Sequence, residues 1–382
     1  MGVDADASIE TRAPGTRTVA GSVGVHFVHR RESAWSWVLS SSASRAFSLP
    51  SAPRIGVVGA GGLGQHHVRI LRDLAGDRFV GFVDQNPARA SEVASSLGAM
   101  AWPSLDAMLN EVEAVSVVVP TTAHFAVTSE ALRRGKHVFV EKPFTATLAE
   151  ADELLDLQQQ AGVVVQVGHV ERFNRAIRAA LPYVDGPLFI ESDRLAPFSP
   201  RGSDVAVVLD LMIHDIDLVC SLVGAPVNEV SAAGIPVLTP QVDIANARLT
   251  FATGAVANVT ASRVSRERVR KLRIFQRSGY LSLDMAAGAG EFFRLRGDFN
   301  PMMLARAPRA LEDFVERIAL EAPEGEPLVL ELSEFLGAVA GQHPVTVDGR
   351  EGREALSVAL RIVAEIDRSL VALRQGGQST GP

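Results

Sequence analysis

The hydrophobic pattern falls into three regimes along the chain. Up to residue 53 the residues are rich in Ser, Ala, Arg and Gly and show no period, so no packed element is expected there. From Arg54 short apolar runs alternate with amphipathic stretches. The order is RIGVVGA, a helix over His66–Leu74, RFVGFVD, a helix over Ala88–Leu97, AVSVVVP, a helix near His124–Arg134, HVFVEKP, a helix over Leu148–Ala161, and VVVQVGH. Unbroken β-branched runs mark strands covered on both faces, as in a parallel sheet between helices. Strand–helix repetition of this kind predicts a doubly wound α/β domain over residues 54–172.

Beyond that point true alternation appears, as in ANARLTF, and turn signals become frequent. The segments LFIESDRL, VNEVSAAGIPVL, DIANARLTFATGAVANVTASRV, VRKLRIFQRSGYLSLDM and EFFRLR read as strands. Within them FATGAVANV and FQRSGYLSL read as hairpins, with Thr-Gly and Ser-Gly at the turns. Helices are expected near Arg175–Tyr183, Leu328–Val339 and Gly352–Leu373. Residues 173–373 are therefore expected to form an α+β domain on an open, mainly antiparallel sheet, and residues 374–382 a flexible tail.

Composition narrows the classes of function. Of 382 residues, 47% are hydrophobic and 21% charged, an ordinary globular balance. With 37 Lys+Arg against 44 Asp+Glu the formal charge is −7, which argues against nucleic acid or an anionic membrane as partner. No apolar run approaches the ~18–20 residues of a membrane span. The apolar stretch Ala34–Leu39 is shorter than a signal-peptide core of ~7–15 residues and lies far from Met1, so residues 1–53 are expected to be a disordered extension. Cys220, the single cysteine, excludes an internal disulfide and suits a reducing cytoplasm. Its setting in DLVCSLVG is that of a small buried hydrophobe.

Three constellations carry chemistry. Gly59, Gly61 and Gly64 form G-x-G-x-x-G between the strand IGVV and a helix. In that context the first glycine permits a tight turn, the second admits a pyrophosphate to the backbone, and the third lets helix and sheet pack closely. Asp84 ends the next strand, 20 residues after Gly64, where a carboxylate accepts from ribose hydroxyls and repels a 2′-phosphate. NAD is thus expected over NADP. The alternative is a structural glycine turn, with Asp84 opening an Asx-turn before Asn86-Pro87.

The second is Glu141-Lys142-Pro143, closing the strand HVFVE, taken as the fifth. Ligands of open α/β sheets bind at the carboxyl ends of strands, so Lys142 is a candidate to steady a developing alkoxide, and Lys142–Pro143 a candidate cis peptide. A solvated strand-end charge is the bland reading. The third is Asp210-x-x-x-His214, whose i, i+4 spacing puts both on one helical face that Asp217 extends. A histidine oriented by a carboxylate is a general base near neutral pH; a surface Asp–His pair is the alternative. No third metal ligand is clearly placed, and none is expected.

In order and spacing these motifs resemble the Gfo/Idh/MocA oxidoreductases (glucose-fructose oxidoreductase, inositol dehydrogenase, rhizopine catabolism). The resemblance runs from Arg54 to about Leu373. It takes in His67, the run VVVPTTAHFAVTSEALRRGKHVFVEKPF, and EPLVLELSEFLGAV followed by HPVTVDGREGREAL. It implies an N-terminal Rossmann domain and a C-terminal open sheet through which a homodimer or homotetramer forms. It implies catalytic roles for Lys142, Asp210 and His214, with Asp210 orienting the imidazole. The cofactor-binding set it implies is Gly59, Gly61, Gly62, Leu63, Gly64, Asp84, Pro120, Thr121, His124, Glu141 and Lys142. GHVERFNRA and DLMIHDIDL resemble the branch that oxidises the 3-hydroxyl of UDP-N-acetylglucosamine, although Arg175 stands where that branch commonly has proline. Lys142, Arg172, Asn174 and His214 are then the expected substrate contacts, with domain-junction hydrogen bonding the alternative for Arg172 and Asn174. The expectation is an NAD-dependent sugar dehydrogenase. Enzymes of a free sugar, inositol or dihydrodiol are the alternatives, as is a non-catalytic NAD-binding regulator.

Overall fold

The computed structural model describes residues 52–200, 202, 204–296, 302 and 314–378. The expected N-terminal extension thus lies almost wholly outside the described residues. The first sheet comprises β1 (Ile55–Val58), β2 (Phe79–Val83), β3 (Ala114–Val117), β4 (His137–Glu141) and β5 (Val165–Gly168), in the order β2-β1-β3-β4-β5. Every pairing is parallel, and HVFVE is its fourth strand rather than the fifth. The crossovers carry α1 (Gly64–Ala75), α2 (Pro87–Leu97), α3 (Leu105–Leu109), α4 (Thr121–Arg133) and α5 (Leu148–Ala161).

Local sequence explains the helix limits. Asn86 caps α2 by accepting from Ala88 and Arg89 N–H with Pro87 in the first turn, and Gly98 closes it in the left-handed conformation. Thr147 and Glu150 form a reciprocal capping box on α5. The short α3, capped by Ser104, was not anticipated, because five residues give too little period to read.

The second sheet has eight strands in the order β13-β12-β11-β10-β6-β9-β8-β7. They are β6 (Phe189–Leu195), β7 (Val227–Ile235), β8 (Ile244–Phe251), β9 (Val256–Ser262), β10 (Val269–Gln276), β11 (Gly279–Asp284), β12 (Ala289–Leu295) and β13 (Val315–Leu320). All pairs are antiparallel except β6 with β9. Both expected hairpins form, β8–β9 and β10–β11. The edge strand β13 was not read from VERIAL, where charged and apolar residues share both faces.

The inner face of this sheet packs on α6 (Arg175–Ala180), α7 (Ile213–Val223) and α9 (Gly349–Gln378), through residues such as Ile177, Ile216, Val219 and Ile362. Helix α9 runs past its expected end at Leu373. Helix α8 (Pro327–Val339) goes elsewhere. Its Leu332, Phe335 and Leu336 share a core with Ile55, Val57 and Phe139 of the first sheet, and Phe335 meets Phe139 edge-on at 5.8 Å. The chain therefore returns to its first layer after building the second.

Candidate active site

In the order β2-β1-β3 the winding of the sheet reverses at β1/β3, and the crevice outside the carboxyl ends of those strands is where such folds bind ligands. The glycine loop lines it. Gly59 has φ +91°, and a Cβ there would lie 2.4 Å from the Val118 carbonyl oxygen. A Cβ on Gly64 would lie 2.0 Å from the Gly59 oxygen, whereas one on Gly61 would meet nothing within 4 Å. The loop is thus tight at its first and third glycines and open at the second. Gly62 is exposed beside it, Leu63 precedes the first turn of α1, and no side chain caps that helix. Uncapped N–H groups below open backbone fit a pyrophosphate.

Asp84 braces this loop. Its Oδ2 accepts from Ala60 N–H at 2.7 Å and its Oδ1 from Asn86 N–H at 2.8 Å, so the Asx-turn forms. A carboxylate with about four lone-pair sites still has acceptors left for a sugar edge. Arg89 is committed to the same loop, donating to the Ala60 carbonyl at 2.8 Å and to Gln65 Oε1 at 3.0 Å, and it pairs with Glu92.

Pro120 is exposed at the cap of α4 and Thr121 opens that helix, both on the far side of the crevice. His124, expected to touch cofactor, is buried. Its Nδ1 lies 2.8 Å from the Pro143 carbonyl and its Nε2 2.9 Å from that of Val119, and the neutral ring donates to one of the two. Burial pushes its pKa down, against the pull of both carbonyls.

Glu141, in the same expected set, is also buried. Its carboxylate turns inward, with His67 Nε2 3.2 Å away and Ser116 Oγ 2.9 Å from the other ring nitrogen. A Cβ on Gly168 would sit 3.0 Å from that carboxylate, so the position beside it in β5 has no room for a side chain. Burial alone would push the carboxyl up; the hydrogen bond from His67 and the charges of His67 and Lys142 hold it below its ordinary value. Glu141 thus supports Lys142 from beneath.

The Lys142–Pro143 peptide is cis. Lys142 Nζ donates to the Asp210 main-chain carbonyl at 2.7 Å and lies 3.7 Å from the Asp210 carboxylate. Asp210 does not hold His214, contrary to the i, i+4 expectation. The reason is local: Val208–Met212 is a π-helical turn, wider than an α-turn, and it precedes α7. Asp210 and His214 therefore do not stack, and the carboxylate faces the lysine.

His214 is half-buried at the start of α7, its Nδ1 enclosed with no hydrogen-bond partner among the described residues, which leaves Nε2 as the nitrogen available to a substrate. Burial, then the charges of Lys142, Arg194 and Arg270, press its pKa well below the ordinary 6.5. It is neutral near pH 7 and able to accept a proton.

Arg172 and Asn174, expected to meet substrate, are buried and committed to the fold. Arg172 grips Asp217 bidentately at 2.6 and 2.7 Å and donates to Ser221 at 2.6 Å, with Glu351 3.3 Å away. Asn174 caps α6 and donates to Glu171 and to the Met285 carbonyl. Asp217 accordingly faces Arg172 rather than extending an Asp210–His214 face.

Sequence reasoning missed the residues that surround His214. Arg194 on β6 is buried and bound to Asp215 and Glu171, and Arg270, its cross-strand partner on β10, reaches the same Glu171 at 3.3 Å. His169 follows β5, and its place at the carboxyl end of a parallel strand is the signal that singled out Lys142. Burial pushes the Cys220 thiol well above its ordinary value, which disfavours the thiolate. Among the described residues no three His, Cys, Asp or Glu side chains converge as a metal site, and no helix is long and apolar enough to cross a membrane.

A glycine-loop crevice at the switch point of a parallel sheet, with Lys142 from that sheet's own β4 and His214 from the second sheet domain, defines a class of oxidoreductase. The family description "Oxidoreductase family, NAD-binding Rossmann fold" matches residues 53–169, and "GFO/IDH/MocA C-terminal domain" matches residues 191–282. The UDP-N-acetylglucosamine 3-dehydrogenase of Acidithiobacillus ferrooxidans is 39% identical over 318 residues, covering 83% of this chain and 98% of that one. A solved structure of that enzyme superposes with a TM-score of 0.76, at 38% identity and the same coverage. The scyllo-inositol 2-dehydrogenase (NAD(+)) of Bacillus subtilis is 30% identical over 231 residues, 56% of this chain and 68% of its own. The chain belongs to the Gfo/Idh/MocA family and is an NAD-binding dehydrogenase acting on a CH–OH group.

Proposed function

We propose that the enzyme oxidises the 3-hydroxyl of a UDP-N-acetyl-hexosamine, with His214 as general base. The observation that carries the chemistry is the meeting of Lys142, at the carboxyl end of β4, with Asp210 and the half-buried His214 of the second domain. The glycine loop with Asp84 would hold the dinucleotide, which when bound supplies the acceptor for the C–H hydrogen and its electron pair. His214 Nε2 takes the hydroxyl proton. Lys142, oriented by the carbonyl and carboxylate of Asp210, donates to the alkoxide as it forms. The choice of a UDP-sugar rests on likeness to the 3-dehydrogenase along nearly its whole length.

NAD is the proposed cofactor over NADP, because the carboxylate of Asp84 stands beside the glycine loop, where it would repel a 2′-phosphate, and Arg89 is already bound to the loop, Gln65 and Glu92. The outward face of the second sheet bears a ladder of Phe189, Phe275, Tyr280 and Phe293, with ring centroids 4.7–5.8 Å apart. That face supports assembly into a homodimer or homotetramer. The cytoplasm is the proposed location, a reducing setting suited to the lone thiol of Cys220.

The test is reduction of NAD and NADP across UDP-sugars, free sugars and inositols. UDP-N-acetylglucosamine with NAD should give the highest kcat/KM, and Asp84→Ser should narrow the gap to NADP. Best turnover on a free inositol would replace the substrate, and a preference for NADP would overturn the cofactor.

A further inference from the structure

His169 has no part in the reading above, yet it is placed as a working residue. It is 1% exposed, and neither ring nitrogen has a hydrogen-bond partner among the described residues. Buried polar atoms of native proteins are nearly all partnered, so two orphans on one ring mark a site with a further task. The ring stands edge-on to His214, centroids 6.4 Å apart at 88°. Its Nδ1 lies 3.9 Å from Asp217 Oδ2, and Asp217 is fixed by the two bonds from Arg172.

The charges around the two imidazoles differ in sign. The largest of those acting on His214 oppose its protonation: Lys142 from the end of β4, Arg194 from β6, Arg270 from β10, and His169 when protonated, the first three themselves paired with Asp210, Asp215 and Glu171. His169 shares the burial and feels Lys142 and Arg172, but Asp217 from α7 and Glu141 from β4 act in its favour. A proton on His214 is therefore less well housed than one on its neighbour.

We propose that His169 takes over the proton that His214 accepts from the substrate hydroxyl and holds it beside Asp217 until product leaves. The inference rests on His214 being the base. The substrate O–H bond breaks as a bond to His214 Nε2 forms, and the Nδ1 proton then passes through one bridging water to a ring nitrogen of His169. The added step moves a proton only; the redox chemistry is that of the dehydrogenase.

The test uses His169→Gln in the full-length enzyme with NAD. At neutral pH kcat should fall roughly 10- to 100-fold, less than for loss of the base itself, with substrate KM and NAD affinity nearly unchanged. The deficit should shrink as pH rises, since hydroxide then removes the proton. A raised KM at unchanged kcat would make His169 a hydroxyl-binding group, and no change in either would leave it a packing residue; both outcomes overturn the proposal. Should the variant not fold, or should no sugar be turned over, histidine NMR of the wild-type NAD complex still decides. His169 should protonate at higher pH than His214, and the reverse order would overturn the relay. That result is independent of which sugar is the substrate, whose identity the panel tests separately.

Discussion

At the scale of single residues, function rests on how differently the site treats its charges. His214 is kept neutral by burial and three nearby cations, while Lys142 is kept in place by Asp210. His214→Ala should lower kcat by ~10²–10⁴-fold and leave NAD affinity intact, since the glycine loop lies on the other wall of the crevice. Lys142→Ala should act in the same direction. Asp210→Asn should cost less, because the main-chain carbonyl of Asp210 still receives the lysine at 2.7 Å. The sign of the pH dependence follows: a base with a depressed pKa stays unprotonated on acidification, so the acid limb of kcat/KM should lie well below pH 6.5. Steady-state rates and cofactor titrations check each point. Near-wild-type turnover by both alanine variants would return the two residues to a strand-end and a helix-surface charge. Lys142, Asp210 and His214 were legible as a set because each stands at a position that strand or helix geometry makes special. The partner of Asp210 was not legible, because a π-helical turn leaves the same residue spacing in the sequence as an α-helix does.

At the scale of elements, helix α8 shows how far periodicity goes. Its limits were legible from EPLVLELSEFLGAV, and Pro327 begins it as a first-turn proline should. Its buried acids were not. Glu331 and Glu334 are fully buried, and Glu334 Oε1 accepts from Thr346 N–H at 2.7 Å and its hydroxyl at 3.0 Å. Burial raises Glu334 to about 8 and Glu331 in the same direction, with Glu141 adding repulsion to Glu331 and Glu351 to Glu334. A folded-state pKa above the unfolded value means full stabilisation below about pH 4.5, lost as pH rises through about 8. The melting temperature should therefore decline as pH rises from about 4.5 to 8 and level off above it, with the part above pH 6.5 free of His343, which lies 3.7 Å from Glu334 and titrates with the opposite sign. Glu334→Gln keeps the acceptor for Thr346 and carries no charge, so its decline should be shallower by several degrees. Parallel melting curves for the two proteins would show that Glu334 ionises without consequence.

At the scale of the whole molecule, the two sheets are joined by more than the segment between β5 and β6. Helix α8 brings Leu332, Phe335 and Leu336 back onto the core of the nucleotide-binding sheet, and Val167 N–H donates to the Val347 carbonyl at 3.1 Å. A fragment of residues 52–172 should therefore fail to give a sharp melting transition or bind NAD, because the face under α8 would be bare. Binding with the affinity of the full chain would show the return of α8 to be dispensable. What the sequence determined by itself was local: strand and helix alternation, the glycine turn, the hairpins, the caps, and the positions of Lys142 and His214. These follow from side-chain period and backbone freedom within a dozen residues. Only the tertiary structure decided that Lys142 meets Asp210 across 68 residues, that Arg172 closes on Asp217 across 45, and that His169 stands beside His214. A charged side chain carries the same propensity whether it will face solvent, substrate or a buried counter-ion, and the choice is made when distant segments pack and water leaves.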